Sequence, residues 1–88
     1  MQMTHTAGAR LQVLLEERKV PSEEVVRITQ GKKRLRLCRD RQRPDDATFA
    51  HNGRVVLVLA PTVAASLETR RLELAETTAG PRLRLGHI

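Results

Sequence analysis

The 88-residue chain has one cysteine, Cys38, one aromatic residue, Phe49, and neither Trp nor Tyr. Each shortage removes a class of protein. A single thiol builds no intramolecular disulfide framework and no Cys-rich zinc or iron–sulfur site within one chain, so the fold must rest on its hydrophobic core. Cysteine used this sparingly is the habit of reducing compartments, and a cytoplasmic location is expected. With one aromatic side chain, base stacking is not available as a binding device. The longest apolar run, VVLVLA from Val55 to Ala60, falls far short of the roughly 20 residues that span a bilayer. The opening MQMTHTAGAR has no apolar signal core, so no membrane association is expected. Gly31, Gly53, Gly80 and Gly86 stand singly at turns and make no phosphate-cradling loop.

Catalytic and metal chemistry are equally thin. A nucleophilic site would have to combine Cys38, Ser22 or Ser66 with His5, His51 or His87, and none of these lies in a recognisable motif. Asp45 and Asp46 follow Pro44 in a turn and read as solvated loop acids. No spacing of the histidines resembles a zinc signature; His51, just before Asn52-Gly53, reads as exposed. No catalytic residue and no metal site is therefore expected, and Cys38 is the one candidate ligand. It lies between Leu37 and Arg39, with Arg34 and Arg36 on its own face of a strand. Such a thiol is either activated by nearby positive charge or a small, half-buried packing residue, and the second is expected.

What the chain has is charge, unevenly placed. The net charge is +6, and Lys32 to Arg43 holds seven basic residues against Asp40 alone, leaving nine basic and nine acidic residues elsewhere. The excess thus sits in one short stretch that can attract an anionic partner through Lys32, Lys33, Arg34 and Arg36. Nucleic acid is one such partner, bound through phosphates without base readout. The alternation of the stretch favours a plainer reading, in which Arg34 and Arg36 line the solvent face of a strand and guard an edge against self-pairing.

Periodicity gives the elements. Ala7, Leu11, Leu14 and Leu15 recur at helical spacing between Thr6 and Lys19, with Thr4 or Thr6 to cap the start and Val20-Pro21 to end the helix. Arg18 and Lys19 suit its negative C-terminal end. EVVRIT, Glu24 to Thr29, is β-branched and ends at a Gln30-Gly31 turn. Arg34 to Arg39 alternates, with Leu35 and Leu37 inward, as a half-buried strand. Thr48 to His51 and Arg54 to Leu59 flank Asn52-Gly53, the pair that most readily forms a two-residue hairpin turn. Val55 to Leu59, apolar throughout, should be buried on both faces. A short helix follows from Pro61 to Glu68. Arg71 to Leu74 and Arg82 to Leu85 form a closing hairpin with Leu72, Leu74, Leu83 and Leu85 inward and Glu73 opposite an arginine. The chain reads as a single α+β domain over 1–88: an N-terminal helix, then a small mixed or antiparallel β-sheet assembly with one short helix.

Taken in order, "THTAGARLQVLLEE", "VVRIT", "RPDDATFAHNGRVVLVLAP", "TVAASLETRRLEL" and "AGPRLRL" resemble the HesB-like family, the A-type iron–sulfur cluster carriers. The resemblance covers nearly the whole chain, through order and spacing rather than through an invariant motif. It implies a link to iron–sulfur cluster biogenesis, no enzymatic activity, and association as dimers or higher oligomers. It also implies three cluster-ligand cysteines, which this sequence does not match. Where the first ligand loop belongs the chain reads Thr29-Gln30-Gly31-Lys32-Lys33, and beyond the last strand Gly86-His87-Ile88 stands for Cys-Gly-Cys. Cys38 falls in the next strand and does not take over a ligand position. The expectation is a degenerate HesB-like domain, an accessory or binding module without a cofactor, whose partner is a protein or another copy of itself. The alternatives are an iron or iron–sulfur carrier using Cys38 across a dimer, and nucleic-acid or other anionic-partner binding through residues 32–43.

Overall fold

The computed structural model describes residues 1–21, 23–30 and 35–87, Leu35 by its backbone alone. Thr4 Oγ1 accepts the Ala7 N–H at 3.2 Å and opens helix α1, His5–Glu17. Ala7, Leu11 and Leu15, one turn apart, are its buried stripe. The helix ends two residues before the expected Lys19. Arg18 is its C-cap, and Lys19 lies beyond at φ 50°, so no basic residue stands in the last turn.

Two sheets share the core. The first has the order β3-β2-β5-β4, with β2 at Glu24–Gln30, β3 at Leu35–Arg41, β4 at Ala47–His51 and β5 at Arg54–Leu59. β2 pairs antiparallel with β3 and parallel with β5. The second joins β1, Gln2–Met3, in parallel to β6, Arg70–Thr77, which pairs antiparallel with β7, Gly80–His87. The assembly is mixed, as its sequence pattern suggests. β1 has no such signal: two residues find their partner some seventy positions away, at Gln2↔Arg71 and Met3↔Leu72.

The local turn chemistry behaves as read. Asn52 and Gly53 take φ 51° and 79°, joining β4 to β5 with His51 opposite Arg54. Val56 to Leu59 are fully buried, with α1 and the short helix α2, Pro61–Ser66, both packed against β5. In the closing hairpin Leu72 faces Leu85, Leu74 faces Leu83, and Glu73 faces Arg84.

One strand departs from its pattern. β3 is not half-buried: Leu37 is 47% exposed, and Arg36, Cys38, Arg39 and Arg41 are exposed as well. The cause is position. β3 is the outer strand of its sheet, and among the described residues no strand pairs with its free edge. Alternation marks which residues face the core side, but an edge strand has only half its neighbours there.

Candidate functional site

The register of β2 with β3 sorts the basic stretch onto two faces. Arg27 stands opposite Cys38 and Val25 opposite Asp40; Val26 stands opposite Arg39 and Ile28 opposite Leu37. Val26 and Ile28 belong to the hydrophobic core, so Leu37 and Arg39 lie on the core side and Cys38 and Asp40 on the other.

On the second face the central group is a buried cation. Arg27 is 4% exposed in a strand of apolar neighbours, and such a charge persists only if it is paired. Its Nε donates to Asp40 Oδ2 at 2.9 Å, Nη1 to Asp46 Oδ1 at 3.0 Å, and Nη2 to Asp46 Oδ2 at 2.5 Å and to the Arg41 carbonyl at 3.0 Å. The Arg43 N–H adds a bond to Asp46 at 2.8 Å. Asp46 is thus no solvated loop acid: its side chain is 1% exposed, folded under the turn that carries it, while Asp45 remains exposed. The bidentate fork suits a planar guanidinium, and it clamps the loop after β3 onto the sheet.

Electrostatics follow from these contacts. The bond from Arg27, then the backbone bond from Arg43 and nearby positive charge, hold Asp46 below the usual carboxylate range against the opposing effect of burial. Asp40 is lowered first by the Arg41 N–H and then by Arg27 and Arg43. Arg27, bonded to Asp46, is held further toward its charged form. Both carboxylates move the same way. A general acid and base need groups whose pKa values are driven apart, so this cluster is built to stay ionised rather than to pass protons.

The core-side face has a different character. Between the C-terminal half of α1 and β3 lies an open groove of about 210 Å³, floored by Leu11, Leu15, Val26 and Leu37 and rimmed by Arg18 and Arg39. Ion pairs among the described residues engage Arg27, Arg43, Arg71 and Arg84. Arg18, Arg36, Arg39 and Arg41 are in none of them.

The remaining candidates are placed as follows. Cys38 is exposed rather than half-buried, carried on the outer strand of its sheet. Arg36 is exposed on β3, whereas Lys32, Lys33 and Arg34 lie outside the described residues, as does Ser22. His51 is buried at 8%, contrary to expectation, its ring 4.7 Å from that of His5. Gly8 makes this possible, since a Cβ there would stand 2.9 Å from His51 Nδ1. Ser66 Oγ bonds Gln30 and the Val63 carbonyl, not a histidine, and His87 is exposed at the end of β7. Among the described residues no group of three or more His, Cys, Asp or Glu is placed to hold a metal ion, and no helix is long and apolar enough to cross a membrane.

Comparison with known proteins adds the fold. No protein-family model matches the chain, and no curated protein matches it in sequence. In structure it is similar to the crystal structure of IscA with the [2Fe-2S] cluster, at a TM-score of 0.61 and 16% identity over 98% of this chain and 83% of that one. The two share an α+β fold, with an N-terminal helix, mixed sheets and a short helix.

Proposed function

We propose that the chain is a cytoplasmic, non-enzymatic HesB-like module that keeps the carrier scaffold and acts by binding a partner protein instead of carrying a cluster. The carrying observation is the donor set. An iron–sulfur cluster is held by several thiolates brought together by the fold. This sequence offers one thiol, and Cys38 stands exposed on the outer strand, across from an arginine already engaged by two carboxylates. The residues present do not fit a cluster bound within one chain, and no step is derived through one. Descent from iron–sulfur biogenesis proteins is part of this reading, supported by the shared fold. Degeneracy of the ligand set is another part, supported by the single cysteine and by Lys32-Lys33 where the resemblance puts the first ligand loop.

Anaerobic reconstitution with iron and sulfide tests it. The expected result is no stable charge-transfer absorption after desalting. A stable band that disappears in Cys38→Ser, together with a shift from monomer to dimer on sedimentation, would instead establish a carrier that shares Cys38 between two copies.

A further inference from the structure

Three features of the β3 margin coincide. β3 ends its sheet, and an edge strand leaves the N–H and C=O groups of alternate residues without ladder partners. Beside that edge the groove exposes apolar surface, including Leu37 at 47%. Arg18 and Arg39 rim the groove and Arg36 and Arg41 extend along the strand, all four without an acidic partner among the described residues.

We infer that this margin is a docking surface for an extended acidic segment of a partner protein, which adds a strand to β3, places apolar side chains in the groove and sets carboxylates against Arg18 and Arg39. The inference rests on the reading of the chain as a binding module and names its partner class. Strand addition draws affinity from main-chain bonds and specificity from pockets for alternate side chains, and both halves are present here.

The competing occupants fit less well. A second copy would bring the arginines of two β3 strands together, and the one acid on the strand, Asp40, is already held by Arg27 and Arg43. A nucleic acid would satisfy the arginines but has no use for a floor of Leu11, Leu15, Val26 and Leu37, and no aromatic side chain is there to stack on its bases. A small-molecule site generally measures about 300–1,000 Å³. At about 210 Å³ the open groove is the size for one or two aliphatic side chains entering from a chain that continues along the edge.

The test uses three labelled eight-residue peptides (alternating Glu and Leu, alternating Glu and Gly, alternating Lys and Leu) and a labelled single-stranded DNA of similar length. Binding is followed by fluorescence anisotropy, and amide chemical shifts locate the contact. The Glu/Leu peptide should bind at least about tenfold tighter than either other peptide, weaken with salt, and shift the amides of β3 and of the end of α1. Arg39→Glu with Arg18→Glu should cost about tenfold in affinity, and Leu37→Gln several-fold, while thermal melts stay close to the parent's. Equal binding of all peptides, shifts away from β3, DNA bound more tightly at the same amides, or a dimer formed through β3 would each overturn the inference. Running the series in Cys38→Ser keeps this outcome separate from the reconstitution result: lost peptide selectivity without a cluster band removes the docking surface and leaves the non-carrier module standing.

Discussion

The two faces of the β2–β3 ladder both meet arginine side chains and put them to opposite use. On one face the buried Arg27 is bonded to Asp40 and Asp46, with Arg43 meeting Asp40 from the surface, and no buried side-chain polar atom among the described residues lacks a partner. On the other, Arg18 and Arg39 are in no ion pair among the described residues and rim apolar surface that includes Leu37, 47% exposed. The alternation of β3 sets Asp40 on the side of Arg27 and Arg39 on the side of the groove. Net charge by itself does not make that division.

The comparison breaks most visibly if the closed face is opened. Arg27→Ala leaves Asp46 buried without its cation, and removing one member of a buried pair costs about 3–5 kcal/mol. Urea unfolding should show that loss, and combining Arg27→Met with Asp46→Leu should recover much of it, because an apolar replacement of both partners leaves no charge stranded. If Arg27→Ala unfolds no more easily than the parent, the closed face is not what holds the loop.

Acid probes the same contacts without mutation. Asp46 and Asp40 titrate below their ordinary range in the folded state, so the unfolded chain takes up protons first as pH falls. Their contribution is present in full above the ordinary carboxylate range near pH 4 and is lost as pH drops through it toward the lowered folded values. The unfolding midpoint should therefore fall in that window, and the Arg27→Met, Asp46→Leu protein should fall less. An equal acid response in both proteins would assign the effect elsewhere.

How far the sequence reveals these two faces depends on the range of each interaction. The Asn52-Gly53 hairpin, the α1 stripe and the Glu73↔Arg84 register are legible because a few neighbouring residues decide them. The burial of Asp46 and His51 is not. One depends on a cation nineteen residues away and the other on the space left by Gly8 against β4. A signal for the first was present all the same: Arg27 interrupts the apolar run VVRIT, and a buried arginine demands a carboxylate. The exposure of β3 is harder still, because strand order within a sheet is not written in the alternation of any one strand.

Exposed pairs give a smaller effect. Arg43 meets Asp40 at 3.4 Å with its own side chain 64% exposed, and such pairs contribute about 0–1 kcal/mol. Arg43→Ala should lower stability by no more than that, and added salt should shrink the difference further. A loss comparable to that of Arg27→Ala would mean that the closed face reaches out to Arg43.

The smallest change is expected at Leu37, and it decides whether the open face is open. A leucine wholly inside a core loses about 2–5 kcal/mol on truncation to alanine, because both transfer energy and a cavity are involved. Leu37 is 47% exposed on an outer strand, so it buries only part of its surface and leaves no closed cavity behind. Leu37→Ala should therefore cost less than about 1 kcal/mol in urea unfolding, within the usual range of surface substitutions and small apolar deletions. A loss of core size would show that α1 closes over β3 in solution, and with the groove shut no partner strand could use it. A small loss, together with weakened binding of the Glu/Leu peptide, separates Leu37 from the residues that hold the fold and assigns it to recognition.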